Sequence, residues 1–267
     1  MPDLRIVSSD AVLLHEESDS DRVERLRHRL TAEGLLRNPP VAAPLEAGAY
    51  VILDGANRVT ALRALGAPDQ LVQVIDYDDP AVRLDVWAHA LPDDDPIAGE
   101  EGSVAAPWRP MPADAVRAAL DEGWVACGLL TPSGAYGLPA EGALAARVKT
   151  LSGIVARYKE RGPIYRVEAT GLDALGPEFG RNAALVLFPK LTKQEIRAIA
   201  RLPVKLPSGI SRHVVPLRAL RVNLDLSMLL AAEPTAGKQA RLDETIRTRL
   251  LEHRVRHYPE PTVFYDD

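Results

Sequence analysis

The sequence predicts an α+β fold in two mixed α/β parts, and three observations carry that prediction. Apolar runs of strand length alternate with amphipathic stretches of helical period through both halves of the chain, the pattern of mixed helix and sheet. A stretch dense in proline and glycine, 92–112, separates the two parts. The 267 residues are 46% hydrophobic and 26% charged, enough to bury a core without disulfide or metal staples.

The first part, 1–91, contains Leu13-Leu14, Val51-Ile52-Leu53, Val72-Gln73-Val74-Ile75 and Leu84-Asp85-Val86-Trp87, all strand-like in composition. Asp21 to Leu30 sets Val23, Leu26 and Leu30 on one helical face, with Asp19 or Ser20 as the N-cap. A second helix is expected from about Asn57 to Leu65, stopped by Gly66. Residues 92–112 hold Pro92-Asp93-Asp94-Asp95-Pro96, Gly99, Gly102, Pro107, Pro110 and Pro112, and read as a linker or long loop.

The second part, 113–267, shows helical periods at Ala113–Glu122, Leu144–Arg161 and about Arg241–Arg256. Thr192 with Glu195 makes a capping box for a helix running through Arg201. Strands are expected near Tyr165–Ala169, Ala184–Phe188, His213–Val215 and Leu220–Leu224, and the chain ends in an acidic tail, Phe264-Tyr265-Asp266-Asp267.

Composition excludes several function classes. The single cysteine, Cys127, allows neither an internal disulfide framework nor a cysteine zinc cage, and suits a reducing cytoplasm. A formal charge of −5 and a pI near 5.7 disfavour electrostatic coating of nucleic acid. No apolar run reaches the roughly 18–20 residues of a membrane span, and Met1-Pro2-Asp3-Leu4-Arg5 lacks a signal-peptide start. The expectation is a cytosolic protein. Phosphate-loop, zinc-protease and serine-hydrolase motifs are missing.

The most informative stretch is the strand Tyr50–Leu53 running into Asp54-Gly55-Ala56-Asn57-Arg58 and straight into a helix. Gly55 allows a tight turn and close approach of a ligand. The free N–H groups of the helix start favour an anion, and Arg58 one turn in adds a planar fork for phosphate oxygens. Asp54, at the end of the strand, could hold a metal ion or orient a polar partner. The plainer alternative is a tight turn with Asn57 capping the helix and Arg58 in solvent.

Asp54-Gly55-Ala56-Asn57-Arg58 resembles the Asp-Gly-x-x-Arg box of the ParB/sulfiredoxin-like fold. His15-Glu16-Glu17, Leu36-Arg37-Asn38-Pro39-Pro40-Val41, Trp87-Ala88-His89 and Ser211-Arg212-His213-Val214-Val215-Pro216 extend the likeness in order along most of the chain. Together they resemble the free L-serine kinases, including ParB-like proteins of siderophore gene clusters that make O-phospho-L-serine.

The resemblance implies a cleft between two domains, where L-serine meets ATP or ADP with Mg2+ bridging the phosphates. It implies Glu16 as the base that takes the serine hydroxyl proton, a task suited to a carboxylate in hydrogen-bond reach. Glu17, next in extended backbone, would point the other way. It implies nucleotide phosphate at Asp54, Gly55, Ala56, Asn57 and Arg58, with Trp87, Ser211, Arg212 and His213 around the serine. The sequence departs from the family at Ala56 and Asn57, where some members carry histidines. Chromosome-partitioning ParB chemistry lacks its Gly-Glu-Arg-Arg motif here, and sulfiredoxin chemistry lacks its cysteine. The alternative on this fold is a DNA-binding regulator switched by nucleotide or haem, with Lys190, Lys193, Arg197 and Arg201 as a modest basic face. The sequence leaves open the roles of His89, His253 and His257.

Overall fold

A computed structural model describes residues 1–92 and 108–258 and bears out the α+β class. The expected acidic tail and most of the expected linker lie outside the described residues. The chain opens with strands β1 (Asp3–Ser8) and β2 (Val12–Leu14), helix α1 (Ser20–Glu33) and strands β3 (Leu35–Leu36), β4 (Val41–Pro44) and β5 (Tyr50–Asp54). Helix α2 (Ala56–Ala64) and strands β6 (Asp69–Val74), β7 (Arg83–Val86), β8 (Ala88–Leu91) and β9 (Arg109–Pro110) follow. Next come helix α3 (Ala113–Asp121), the hairpin β10 (Val125–Thr131) and β11 (Gly134–Pro139), and helix α4 (Leu144–Lys159). Strands β12 (Tyr165–Val167) and β13 (Ala184–Leu187), helix α5 (Lys193–Arg201) and strands β14 (Ser211–Val214) and β15 (Leu224–Asp225) lead to helices α6 (Leu226–Leu230) and α7 (Thr235–Leu251).

Local chemistry explains most boundaries. The Asp19 carboxylate accepts from the Arg22 N–H to cap α1, and Gly34 closes it in the left-handed conformation. Thr192 and Glu195 form the reciprocal capping box of α5. Leu220–Leu224 is not a strand over its whole length: Arg221 and Asn223 take positive φ, and only Leu224 and Asp225 pair. Helix α7 begins at Thr235, six residues before the expected start, because the first turn buries a charge instead of an apolar residue. Lys238 is fully buried and its ammonium lies 2.5 Å from the Asp69 carboxylate. The β10–β11 hairpin, not among the expected strands, carries Gly128 on β10. The glycine is there for space: a Cβ on Gly128 would lie 2.3 Å from Val116 of α3.

Strand pairing produces a mixed five-stranded sheet in the order β1-β6-β4-β5-β2 and an antiparallel six-stranded sheet in the order β12-β8-β13-β10-β11-β9. Two short ribbons, β14-β7 and β15-β3, tie late strands to early ones. Pairing therefore crosses the expected division at residue 91. Strand β8 joins the second sheet, while Leu224, Leu226, Leu229 and Leu242 pack on Ile6, Leu36, Leu62 and Leu71 of the first part. Val51 and Leu53 share a core with Leu129, Leu151, Ile196 and Leu206. Among the described residues no helix is long and apolar enough to cross a membrane.

The Lys238–Asp69 pair also receives the Thr235 hydroxyl at 2.9 Å. Lys238→Met should strand the Asp69 charge and cost about 3–5 kcal/mol, the usual penalty for halving a buried pair. Urea unfolding checks this, and adding Asp69→Asn should recover much of the loss.

Candidate functional site

Strand β5 delivers Asp54 to the edge of a cleft, and Gly55 makes the turn into α2 with φ 101°. A side chain at Gly55 would be strained by that φ and would press on Pro40, 3.0 Å from a built Cβ. Arg58 does not lie free in solvent. Its guanidinium donates to the Asn38 carbonyl at 2.9 Å, the Pro39 carbonyl at 3.0 Å and Asp54 Oδ2 at 2.8 Å. Arg218 reaches the same Asp54 oxygen at 2.6 Å. Burial works against the Asp54 charge, but attraction to Arg58 and Arg218 wins and holds its carboxyl below the usual range. Asn57 does not cap α2; its Oδ1 accepts the Asp19 N–H at 2.8 Å and pins the start of α1 to the start of α2.

Across the cleft, the end of β2 is fastened by a short parallel bridge. The Leu206 N–H donates to the His15 carbonyl at 2.9 Å and the Glu17 N–H to the Leu206 carbonyl at 2.7 Å. This fixes Glu16 toward β14 while Glu17 is exposed. Glu16 Oε1 accepts the Ser211 hydroxyl at 2.6 Å and the Ser211 N–H at 3.1 Å. The β14-β7 ribbon sets Arg212 beside Trp87, its guanidinium 4.5 Å from the indole centre. Arg212 also pairs with Glu168 at 2.7 Å. His213 Nε2 lies 2.7 Å from the Tyr77 hydroxyl, and its buried Nδ1 lacks a hydrogen-bond partner among the described residues. Burial pushes His213 down to about 3, so it is neutral near pH 7.

These residues line two adjoining cavities. The smaller, about 280 Å³, is walled by His15, Glu16, Asp54, Gly55, Ala56, Trp87, Ser211, Arg212 and His213, with Arg166 and Gly209. The larger, about 500 Å³, is arginine-rich: Arg22, Arg25, Arg29, Arg37, Arg58, Arg166 and Arg218 line it, along with Asn57. Glu16, Asp54, Gly55, Ala56 and Arg166 belong to both walls. The boundary between an anion-attracting cavity and a small polar one thus carries two carboxylates, Glu16 and Asp54, and the Arg166 guanidinium.

The structure brings every expected site residue to this pair of cavities and adds Arg166, which the sequence reading missed. Arg166 is one charged residue in a three-residue strand, and nothing in its neighbourhood marks it. Only folding sets it over the loop before β14, where it donates to Ser208 Oγ at 3.1 Å. A Cβ on Gly209, which has φ 88°, would lie 2.0 Å from Arg166 Nε. His89 takes a positioning role. Its Nε2 must donate to the Gly209 carbonyl at 3.0 Å, and its Nδ1 accepts from the Tyr158 hydroxyl at 2.6 Å. Burial pushes His89 down to about 4, which keeps that neutral pattern. Helix α7 stops at Leu251, short of the expected end near Arg256, so His253 and His257 lie beyond it, and both are exposed. Of the suggested basic face, Lys193 bonds the Asp79 carbonyl, and Arg197 and Arg201 pair with Asp78 and Glu46.

Among the described residues no cluster of three or more His, Cys, Asp or Glu forms a ready cation cage. Both arginine contacts to Asp54 fall on Oδ2, so Oδ1 is the oxygen left for a cation. One carboxylate suits magnesium, which keeps most of its waters and is held largely by phosphates.

No protein-family model matches the chain. It is 30% identical over 89 residues to the ATP-dependent L-serine kinase SbnI of Staphylococcus aureus, an alignment covering 33% of this chain and 34% of that protein. The match therefore spans about a third of the relative's length. Among solved structures, SbnI with a C-terminal truncation from Staphylococcus aureus superposes with a TM-score of 0.76 at 20% identity, covering 92% of this chain and 97% of the other. A mutant free serine kinase in complex with ADP gives a TM-score of 0.70 at 20% identity, covering 85% and 94%. At that identity the superpositions establish a shared fold.

Proposed function

We propose that the protein is a free L-serine kinase that moves a phosphoryl group from ATP or ADP to the serine hydroxyl, giving O-phospho-L-serine. The observation that carries this reading is the shared wall of the two cavities, where Glu16 and Arg166 stand between an arginine-lined chamber and a small polar one. The partial match to an L-serine kinase and the fold shared with a nucleotide complex support it.

In this reading the larger cavity takes the nucleotide, whose phosphates approach Gly55, Ala56 and the first turn of α2. The smaller takes serine, its carboxylate toward Arg212 and its hydroxyl toward Glu16. As the serine oxygen bonds to phosphorus, its proton passes to the Glu16 carboxylate. The bond from phosphorus to the bridging oxygen breaks, and its electron pair stays on the departing nucleotide. Arg166 offers donors to the charge spread over the migrating group. A bound magnesium ion, held at Asp54, would supply charge neutralisation to the phosphates. The cleft also keeps water from competing for the phosphoryl group. Arg58 and Arg218 act through Asp54, fixing the direction of its free oxygen.

The test is phosphoryl transfer by purified protein with Mg2+, either ATP or ADP, and each free amino acid in turn, read by phosphorus NMR. O-Phosphoserine should form from serine alone. Failure with both nucleotides, or equal transfer to unrelated amino acids, would overturn the reading. Duplex DNA titrated at physiological salt should show no specific binding.

A further inference from the structure

His15, Ser211 and Glu16 form one hydrogen-bonded chain in the wall of the smaller cavity. His15 is buried, and its Nδ1 lies 2.6 Å from the Ile52 carbonyl. A carbonyl oxygen can only accept, so Nδ1 carries a proton. His15 Nε2 lies 2.8 Å from Ser211 Oγ, which lies 2.6 Å from Glu16 Oε1. Burial lowers the proton affinity of His15 against the pull of Glu16 and Asp54, with Lys205 adding to the lowering. His213 packs edge-on at 5.4 Å and is itself neutral. In neutral His15 the Nε2 atom presents a lone pair.

Ser211 Oγ therefore stands between two acceptors, a carboxylate and an imine nitrogen, with one proton to give. With His15 neutral, one of the two short contacts lacks a hydrogen. The deficit is one proton: once Glu16 is protonated, it can donate to Ser211 Oγ, and Ser211 can turn its own proton to His15 Nε2. Every atom of the chain is then satisfied.

We propose that Glu16, Ser211 and His15 are a single proton-accepting unit, and that the hydroxyl proton of the acceptor alcohol fills its vacancy. The proposal rests on the kinase reading for the source of that proton. In the step, the alcohol O–H bond breaks and its proton goes to Glu16. The oxygen's electron pair forms the bond to phosphorus, and the nucleotide leaves with the pair of the broken phosphorus–oxygen bond. Ser211 then rotates its hydroxyl from Glu16 to His15. Ser211 and His15 are positioning residues, acting through Glu16.

Two measurements test this. The first uses single-turnover transfer to serine with Ser211→Ala, Ser211→Thr, Glu16→Gln and the double variant Glu16→Gln/Ser211→Ala. Ser211→Ala keeps the backbone N–H to Glu16 and the β14-β7 pairing. It should lower the rate about tenfold to a hundredfold, part of the 10²–10⁴ a positioned base supplies, with serine affinity unchanged. Ser211→Thr should restore most of the rate, and Ser211→Ala should add nothing to Glu16→Gln, as for residues acting as a unit. Independent, multiplying losses, or a change confined to serine affinity, would overturn the unit. The second needs no turnover: nitrogen-15 NMR of the His15 ring in the intact protein. Glu16→Gln should move the Nε2 signal strongly when Ser211 is present and far less in Ser211→Ala, where only the Glu16 charge 3.8 Å away still acts on it. A signal deaf to Glu16 in both backgrounds would overturn the coupling even if serine transfer were observed. A coupled signal without serine transfer would instead point to a different alcohol and sink only the assignment of serine as the acceptor.

Discussion

Glu16→Gln should lower phosphoryl transfer to serine by about 10²–10⁴ while nucleotide and serine still bind. Glutamine keeps the length of the side chain and a carbonyl oxygen for the Ser211 N–H, now 3.1 Å from Glu16 Oε1. It cannot take a proton near neutral pH, so the loss falls on the chemical step. Glu17→Gln is the internal control. Glu17 is exposed and lines neither of the two cavities, bordering instead a groove beside Arg63 and Lys205, so its loss should stay within a few-fold. Single-turnover rates for both variants, with calorimetric titration of each ligand, decide the matter. Equal losses would reassign Glu16 to a general electrostatic role, and no loss would remove it as the base.

Arg166→Met should cost about 10²–10³ in the rate of transfer, the usual effect of deleting one donor aimed at developing charge. Methionine retains much of the side-chain length that packs over Gly209, so the loop before β14 keeps its support. Six further arginines line the larger cavity, so with nucleotide held there as proposed, its affinity should fall far less than turnover. Arg166→Lys should recover only part of the rate, since an ammonium cannot present two parallel donors. Added guanidinium ion should raise the activity of Arg166→Met and leave Arg166→Lys nearly unchanged. A variant that lost nucleotide affinity and turnover in equal measure would make Arg166 a binding residue instead.

Much of the site was legible because its chemistry is local. Asp54-Gly55-Ala56 is a strand end, a turn and a helix start within a few residues, and each of those features follows from neighbouring side chains. Glu16 and Ser211 could be picked out only through the family resemblance, by their place in its ordered motifs. Their meeting could not, since they lie 195 positions apart. Asn57 shows the limit most clearly. Its position allowed a helix cap, yet its oxygen serves the Asp19 N–H on another element. Arg58 read as a free phosphate fork, but two carbonyls and Asp54 hold it in place.

The sequence by itself determined the α+β class, the cap of α5, the N-cap of α1 to within one residue, and the strand-turn-helix that presents Asp54 and Gly55. These depend on contacts within about one turn or one strand, so their causes sit side by side in the chain. The tertiary structure alone decided that β8 joins the second sheet, that α7 returns to the first, and that Lys238 starts α7 from inside the core. It alone set Arg166 over Gly209 and closed the chain from Glu16 through Ser211 to His15. Such pairings are selected by burial and by the satisfaction of polar atoms between distant segments, and neither quantity exists until those segments have met.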